Sequence, residues 1–233
     1  SNFVARWREQ SPVRRAIRTA DVIFSPSTWT ADELRDLFNL DEARIRVVPN
    51  APDEFWYPVA VPQREPYMLF VAGPEERKNA QMLFRVYDAA FQGSGPELVV
   101  AGRLDEAGER ELERVRGPRR HELPSDKELR ELYSGALLVL VPSLAEGYGL
   151  PAVEAMACGA PVIASNTTAL PETCDGAAVL VRATDENAWR STIRTVLFDD
   201  ALRSDLRTRG LARVARLDRH GPAKALLACI QQL

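Results

Sequence analysis

Short apolar runs alternate with segments of helical periodicity along most of this 233-residue chain. The runs are continuously apolar, a pattern typical of strands that are covered on both faces. Strands are predicted at 22–25, 45–48, 67–72, 98–101, 137–141, 161–164 and 177–181. Helices are predicted at 80–91, 106–115, 151–158, 185–197, 200–214 and 222–232. This alternation predicts an α/β fold built on a Rossmann-like, doubly wound parallel sheet.

Two further helix starts are indicated by capping boxes, in which a hydroxyl and a carboxylate three residues apart satisfy free N–H groups. One predicted box is Thr30–Glu33, and the other is Ser125–Glu128. The second helix is expected to end at Gly135. The charge-rich stretches 9–18 and 106–120 predict solvated helix faces.

A proline-rich segment interrupts the alternation at residues 49–66, which contain five prolines. Because proline cannot donate to a sheet ladder, this segment is predicted to be a connector between domains. We therefore divide the chain into residues 1–58, 59–215 and 216–233. The chain begins with Ser-Asn, which is typical of a cloning remnant, so we expect a piece of a longer protein.

Composition argues against several classes of protein. Thirty basic and 33 acidic residues give a formal charge of −3, whereas nucleic-acid-binding proteins usually carry a basic excess. No apolar run approaches the roughly 18 residues of a membrane span, and no signal peptide is recognised. Three scattered cysteines, Cys158, Cys174 and Cys229, predict buried, inert thiols in a reducing compartment. We therefore expect a cytoplasmic protein.

Two glutamates eight positions apart, Glu146 and Glu154, bracket a glycine-rich turn and the start of a helix. The turn directly follows a predicted strand, and ligands of doubly wound sheets bind beyond the carboxyl ends of the strands. Gly147 and Gly149 let the backbone approach a ligand closely and are expected to take backbone angles that other residues avoid, and Pro151 suits the first helical position. Free N–H groups at the helix start and two carboxylates predict a pocket for a ligand with phosphate and hydroxyl groups.

Two other segments follow strands of the same predicted sheet. Lys78 can supply a point charge to a phosphate, and Asn79 can cap the next helix. Ser165 and Thr167 follow the strand at 161–164 and could bond a phosphate, although Ser165 fits a structural role equally well.

Each of these residues also has an ordinary structural interpretation. Glu154 could stabilise a helix N-terminus, while Glu146 and Lys78 could be solvated loop residues. The chain has neither a Gly-x-x-x-x-Gly-Lys-Ser/Thr loop nor a Gly-x-Gly-x-x-Gly fingerprint. His121 and His220 have no sequence neighbours that indicate a metal site or a catalytic triad.

The segment from Pro142 to Asn166 resembles the signature of the GT4, or group 1, glycosyltransferases. Its Glu-x7-Glu spacing with the Met-Ala-Cys-Gly tail is highly specific. The resemblance covers roughly residues 20–215, because further family motifs follow in order at Arg77–Asn79, Ser125–Asp126, Leu129, Tyr133–Ala136, Leu170–Glu172 and Gly176–Ala178. It implies a retaining enzyme of the GT-B fold, with two Rossmann-like domains. The C-terminal domain of such enzymes binds the nucleotide-sugar donor and the N-terminal domain binds the acceptor.

The resemblance also implies roles for individual residues. Glu154 would hold the ribose hydroxyls, Glu146 the transferred sugar, and Lys78 would stabilise the diphosphate leaving group. Further donor contacts are implied for Arg77, Gly147, Tyr148, Gly149, Leu150 and Ser165. No metal or other cofactor is expected, because the lysine and the helix dipole take the role of a cation.

Three positions depart from the family pattern. Many relatives carry an arginine near Gly73 that partners the lysine on the diphosphate, whereas the only arginine nearby here is Arg77. The loop at 117–124 looks shortened and lacks the usual glycine before Ser125, which leaves base specificity open. Arg219 stands where relatives often carry an aromatic residue.

Length is the largest departure, since family members commonly exceed 300 residues. Residues 1–58 would be the trailing part of the acceptor domain with the connector, 59–215 the donor-binding domain and 216–233 a C-terminal helix. The isolated chain is expected to transfer little or no sugar without the rest of the N-terminal domain. Expected partners are a nucleotide-sugar donor and an acceptor that is a sugar, a lipid-linked saccharide or a small molecule. Nucleic acid is not expected, and association with the inner face of a membrane stays open.

Two alternatives remain beside the transferase. The missing arginine and the missing half are compatible with a non-catalytic nucleotide-sugar-binding module. A nucleotide-sugar epimerase of the same architecture is the other alternative, although the Glu146–Glu154 signature counts against it. A sugar phosphorylase would need a lysine for pyridoxal phosphate in a distinct context, which is not found. The donor sugar, base, acceptor and linkage are not determined by the sequence.

Overall fold

The structure is a computed structural model that describes residues 11–62, 65–116 and 118–231. Its helices are α1 (Ser11–Thr19), α2 (Thr28–Phe38), α3 (Ala80–Phe91), α4 (Glu106–Leu112), α5 (Asp126–Gly135), α6 (Leu150–Ala157), α7 (Leu170–Cys174), α8 (Glu186–Phe198), α9 (Asp200–Ala215) and α10 (Gly221–Ile230). Its strands are β1 (Ile23–Ser25), β2 (Ile45–Val47), β3 (Tyr67–Val71), β4 (Glu97–Ala101), β5 (Arg119–His121), β6 (Leu138–Val141), β7 (Val162–Ser165) and β8 (Val179–Val181). Short 3-10 turns at Glu42–Arg44 and Glu76–Lys78 complete the secondary structure of the described ranges.

Six strands form one parallel sheet in the order β5–β4–β3–β6–β7–β8. The chain first builds outward from β3 through β4 to β5, then returns to place β6 on the other side of β3, with Leu69 opposite Val139. This reversal of direction is the defining feature of a doubly wound sheet. The predicted α/β fold class is therefore confirmed.

Both faces of this sheet are covered, because side chains of successive strand residues point to opposite faces. In β3, Tyr67 and Leu69 pack into a core with α5, α6, α7 and part of α9. Met68 and Phe70 pack into a second core with α3, α4 and α8. The four side chains are at most 3% exposed, which explains why the strand reads as one continuous apolar run.

Residues 11–47 form an N-terminal unit of two helices and two strands. β1 and β2 pair in parallel, with Ile23 opposite Ile45. A small separate core lies under them, formed by Ile17, Leu34, Phe38 and Leu40. The charge-rich stretch predicted at 9–18 lies partly outside the described residues, and its described part is α1, of which only Ile17 is buried.

The two predicted capping boxes have different outcomes. Ser125 and Glu128 form the expected box, in which the Ser125 N–H donates to the Glu128 carboxylate at 2.8 Å and the Glu128 N–H donates to the Ser125 hydroxyl at 3.4 Å. The box predicted at Thr30 is wrong, since α2 begins three residues earlier than an N-cap at Thr30 implies. Ser27 is the N-cap there, and its hydroxyl accepts from the Thr30 N–H at 3.1 Å.

The charged stretch 106–120 is not a single helix face as predicted. α4 ends at Leu112, and Arg119–His121 forms the edge strand β5 against β4. An edge strand does not need an apolar sequence, and charged side chains are common there. Arg119 instead forms an ion pair across the ladder with Glu97, at 3.2 Å.

The prediction of three buried thiols holds for two of them. Cys158 and Cys174 are fully buried, and desolvation raises the pKa of both thiols to about 12. Cys229 is partly exposed on α10, so the prediction is wrong for this residue.

Trp189 provides a test of the core on the α8 face. Trp189→Ala is expected to lower the free energy of unfolding by about 3–5 kcal/mol, because the indole is fully buried and its removal leaves a cavity. Phe198→Ala is the matched control on the same helix, since that ring is 70% exposed and lies 5.8 Å from the Arg194 guanidinium in a cation–π pair. Its expected cost is at most about 1 kcal/mol. Urea unfolding of both variants measures the difference, and equal losses would contradict the assigned core.

Candidate functional site

The carboxyl ends of β3 and β6 meet where the strand order of the sheet reverses. Residues 72–79 after β3 are called the lysine loop, and residues 142–149 after β6 the glycine loop. The two loops are joined directly, because the Leu144 N–H donates to the Arg77 carbonyl at 2.7 Å. Ligands of doubly wound sheets bind at this reversal point, so the topology brings both sequence-predicted segments to the expected place.

Glu146 of the glycine loop is held by two cations of the lysine loop. Its Oε1 lies 2.7 Å from the Lys78 ammonium, and its Oε2 lies 3.0 Å from the Arg77 guanidinium. The Ser143 hydroxyl donates to the same Oε1 at 2.9 Å. Glu146 is 8% exposed and the Lys78 side chain 11%. The interpretation of these two residues as solvated loop side chains is therefore wrong.

The charge cluster formed by Arg77, Lys78 and Glu146 contains an arginine, although not at the position near Gly73 where the family pattern has one. Arg77 lies beside Lys78 on one carboxylate, so a second cation is present at the end of β3 although it comes from a different sequence position. Charge-assisted hydrogen bonds of this kind are roughly twice as strong as neutral ones. Removing the Glu146 carboxylate would take away the anion that the largely buried Lys78 ammonium contacts.

The backbone of Glu146 is held by Thr168, a residue that the sequence did not single out. The Glu146 N–H donates to the Thr168 hydroxyl at 2.9 Å. Thr168 has a φ of +52°, in the left-handed region that β-branched residues rarely adopt. Such a conformation costs on the order of 1–3 kcal/mol and persists where the surroundings impose it.

The glycine loop turns into α6 at Gly149, which has a φ of +102°. A Cβ at this position would lie 2.6 Å from Leu170 Cδ2, so both conformation and space favour glycine. Gly147 does not have a φ in the left-handed region. The prediction that both glycines take backbone angles that other residues avoid therefore holds only for Gly149. Tyr148 between them is buried, and its carbonyl accepts from the Thr173 hydroxyl at 2.6 Å.

The N-terminus of α6 has no side-chain cap, because Gly149 occupies the N-cap position. The helix begins at Leu150, which is 42% exposed, so Pro151 is its second residue and not its first as predicted. Pro151 has no N–H, and the Ala152 and Val153 N–H groups donate to the Gly149 carbonyl at 3.0 and 3.4 Å. The Leu150 N–H, at the positive end of the helix dipole, is therefore the one of the first four positions that can donate to an anion. A ligand oxygen is therefore a suitable acceptor at this helix start.

Glu154 lies one turn into α6 and is partly buried. Burial raises the pKa of its carboxyl, and the charge of Asp126 acts in the same direction. The Tyr133 hydroxyl, which donates to Oε2 at 3.1 Å, and the charge of Lys78 oppose this shift without cancelling it. Glu154 is thus a poorly solvated carboxyl with one hydrogen bond already made.

Asn79 differs from expectation, whereas Ser165 fits the structural role that was one of its two predicted interpretations. The Asn79 side chain does not cap α3; its amide donates to the carbonyls of Pro142 and Ala183, both at 3.0 Å. It thereby ties together the loops that follow β3, β6 and β8. Ser165 is fully buried, and its hydroxyl has no hydrogen-bond partner among the described residues. Its burial counts against a direct ligand contact, which stays a prediction.

No group of three or more His, Cys, Asp or Glu side chains in the described ranges is arranged to hold a metal ion. A metal-independent reaction stays a prediction. Among the helices of residues 11–62, 65–116 and 118–231, none is long and apolar enough to cross a bilayer.

Comparison with protein families gives two matches along the chain. The family model described as "Glycosyl transferases group 1" matches residues 65–199, and the model "Glycosyltransferase Family 4" matches residues 2–54. The chain belongs to the group 1 glycosyltransferases.

Curated relatives of this group 1 chain carry transferase names. O-antigen chain mannosyltransferase B of Escherichia coli is 31% identical, over 89% of this chain and 59% of the relative. D-inositol 3-phosphate glycosyltransferase of Corynebacterium jeikeium is 27% identical, over 94% of this chain and 59% of the relative. The chain thus spans less than two thirds of the length of these relatives.

Solved structures share the fold of this group 1 chain. Sucrose-phosphate synthase from Thermosynechococcus elongatus matches with a TM-score of 0.79 and 25% identity, over all of this chain and 65% of that protein. HepE of Anabaena, solved in complex with UDP and glucose, matches with a TM-score of 0.83 and 14% identity, over 99% of this chain and 69% of that protein. The second likeness is one of fold alone.

Thr168→Val tests whether the strained threonine secures Glu146. Valine has the same shape but no acceptor, so the Glu146 N–H loses its partner. The expected loss in the free energy of unfolding is about 1–3 kcal/mol. Thr195→Val on the exposed side of α8 is the control and is expected to change stability by less than about 0.5 kcal/mol. Chemical denaturation measures both, and equal effects would contradict the assignment.

Glu154→Gln tests the poorly solvated carboxyl. Because the folded-state pKa of Glu154 is raised, the unfolded chain ionises first as pH increases, and the wild type loses stability through that window. Glutamine does not titrate and can still accept from Tyr133. The free energy of unfolding of wild type minus that of the variant should therefore decrease from about pH 4 to about pH 7.

Urea titrations across this range measure that difference. Glu106→Gln controls for removing a glutamate whose side chain is 94% exposed. A Glu154→Gln difference that rises with pH would show that hydrogen bonding outweighs burial at this carboxyl.

Proposed function

We propose that the chain is the donor-binding portion of a retaining glycosyltransferase, which transfers a sugar from a nucleotide-diphosphate sugar to an acceptor. The observation that carries this proposal is the charge cluster of Arg77, Lys78 and Glu146 at the reversal point of the sheet. Glu154 lies close enough for the charge of Lys78 to act on its pKa. The charge of one basic residue therefore acts on two carboxylates that have different surroundings.

The chemistry of a nucleotide-sugar matches these groups in order. A ribose presents two neighbouring hydroxyls, and both can donate to the two oxygens of a carboxylate such as that of Glu154. A diphosphate needs positive charge, which Lys78 and the uncapped N-terminus of α6 supply. Sugar hydroxyls need acceptors and backbone N–H groups, which Glu146 and residues 147–150 offer.

Bond cleavage would then be favoured by electrostatic stabilisation. As the bond from the sugar to the diphosphate breaks, negative charge accumulates on the phosphate oxygens. Lys78 has three N–H donors, and only one is needed for its 2.7 Å contact with Glu146. Donors fixed in place before the reaction stabilise developing charge without reorganisation. The acceptor hydroxyl would attack from the face that the diphosphate leaves, a retaining course that rests on the family resemblance.

The comparisons support the ligand class. HepE was solved in complexes with UDP-glucose and with UDP and glucose, and the chain shares its fold. The curated relatives are named as mannosyltransferases and inositol-phosphate glycosyltransferases, which transfer sugars. These names do not select one donor for this chain. The acceptor, which we expect to contact the part of the relatives' length not spanned here, is likewise left open.

Nucleotide titration with deoxy analogues tests the proposal. UDP, GDP and ADP are titrated calorimetrically, and the best binder is compared with its 2′-deoxy and 3′-deoxy forms. If Glu154 accepts from the ribose, loss of either hydroxyl should weaken binding to the wild type by about tenfold or more. The Glu154→Ala variant should bind the ribose and deoxyribose forms equally.

Two further variants complete the experiment. Lys78→Met is expected to weaken the binding of nucleoside diphosphates by roughly 10- to 100-fold and the binding of the nucleoside alone much less. Glu106→Ala is the control for loss of a remote carboxylate. Absence of binding by all three nucleotides, or unchanged ribose discrimination in Glu154→Ala, would overturn the proposed site. Binding to the full-length protein without hydrolysis or transfer would instead favour the non-catalytic module.

A further inference from the structure

The N-terminus of α2 is capped by a carboxylate from a distant part of the chain. Glu172 on α7 accepts from the Thr28 N–H at 2.9 and 3.0 Å and from the Trp29 N–H at 3.3 Å. The Thr28 hydroxyl also donates to Glu172, at 2.9 Å. The N-terminal unit and the six-stranded sheet are therefore joined through specific hydrogen bonds.

These contacts satisfy the N–H groups that every helix leaves unpaired at its start. Ser27, the local N-cap, accepts only from the third of them, that of Thr30. The first two, Thr28 and Trp29, are satisfied by Glu172, which lies 144 positions from Thr28 in the sequence. A carboxylate is also favoured at the positive end of the helix dipole. The helix start is thus complete only when α7 lies against it.

A second set of contacts runs from the same helix start to the glycine loop. The carbonyl of Gly147 accepts from the Ser27 hydroxyl at 2.7 Å and from the Thr30 hydroxyl at 2.9 Å. A carbonyl oxygen has two lone pairs, so both bonds can form together. Ser27 is fully buried, which makes the contact costly to break.

We propose that Glu172, Ser27 and Thr30 form a latch that positions the glycine loop for the sugar part of the donor. This proposal rests on the proposed function for the identity of the ligand. The three are positioning residues, because they act on the loop through the Gly147 carbonyl and the start of α2.

The latch and Thr168 hold the glycine loop from two sides. Thr168 accepts from the N–H of Glu146, while Ser27 and Thr30 donate to the carbonyl of the next residue. Thr168 and Glu172 lie four positions apart on the segment that leads into α7. Arg213 of α9 supports that segment, with its Nε donating to the Thr173 carbonyl at 3.0 Å. A shift of the N-terminal unit would therefore displace the glycine loop, which carries Glu146.

This arrangement predicts a selective effect on ligand binding. The latch contacts the glycine loop, which is proposed to hold the sugar, whereas Lys78 and Glu154 lie on other elements. Breaking the latch should weaken the binding of a sugar nucleotide, while the affinity for the nucleoside diphosphate should stay nearly unchanged. A purely structural contact would lower stability without changing the ratio of the two affinities.

Hydrogen exchange of the full 233-residue chain tests whether the latch holds the start of α2 and the glycine loop in place. In Glu172→Ala, the amides of Thr28 and Trp29 should exchange roughly five- to tenfold faster, since they lose their acceptor. Amides of residues 147–149 should also exchange faster in both Glu172→Ala and Thr30→Val. The matched control is Asp199→Ala, which removes the N-cap carboxylate of α9. The Leu202 N–H donates to that carboxylate, and no residue of the latch is changed. Unchanged exchange at 147–149 in both latch variants would overturn the proposal.

Calorimetry with defined ligands tests whether the latch affects the binding of the sugar part of the donor. The affinities for UDP and UDP-glucose, and for GDP and GDP-mannose, are measured for the wild type and for four variants: Glu172→Ala, Thr30→Val, Glu172→Gln and Asp199→Ala. In the latch variants, binding of the sugar nucleotide should weaken about five- to tenfold and that of the diphosphate less than about twofold. Asp199→Ala should leave the ratio unchanged, and Glu172→Gln should recover part of the loss because its carbonyl can still accept.

The outcomes separate the latch from the proposed function. Equal weakening of both ligands would overturn the positioning role although the donor site stands. Failure of the wild type to bind any of the four probes would overturn the donor site. The exchange rates at residues 147–149 then decide the latch by themselves, because they do not depend on a ligand.

Discussion

A buried ion pair at the reversal point of the sheet is the interaction on which the site depends. Glu146 lies under two cations, and all three groups come from loops that follow neighbouring parallel strands. Neither loop could place its charge there alone, since each buried charge is tolerable only beside its partner. The order of the strands thus determines which charges meet, and the charges in turn fix the conformation of the two loops.

The sheet could be predicted from sequence because its physical signal is local and strong. Each central strand is buried on both faces and therefore consists of apolar residues without interruption, as in Leu138–Val141. The edge strand β5 was missed for the opposite reason, since Arg119 and Arg120 need no apolar neighbours there. The start of α2 was misplaced because two hydroxyl residues three positions apart, Ser27 and Thr30, both suit an N-cap. Both hydroxyls donate to the Gly147 carbonyl, so what distinguishes them is Glu172, which accepts from the Thr28 and Trp29 N–H groups of the earlier helix start. That contact is not visible in a local pattern.

The candidate site was predicted in part. Its motifs placed Lys78 and Glu146 after neighbouring strands, and the structure joins these two in an ion pair, while the charge of Lys78 also acts on the pKa of Glu154. No role was predicted for Thr168, whose role depends on a left-handed backbone, or for Tyr133, which belongs to a family motif and whose hydroxyl donates to Glu154 from another helix. Asn79 was assigned to the right loop but to the wrong partner, because its amide bridges carbonyls 63 and 104 positions away. Long-range hydrogen bonds of this kind have no spacing rule that a single sequence could reveal.

The unequal burial of the three cysteines has a practical consequence. Thiol reagents attack the thiolate, which is scarce at neutral pH for Cys158 and Cys174, whose pKa values are about 12. Cys229, on the last helix, is the accessible one of the three. The wild-type chain therefore offers one selective attachment point for a fluorophore or spin probe. Distances from that helix to the N-terminal unit could be followed spectroscopically after adding a single second label, with no need to remove the native thiols.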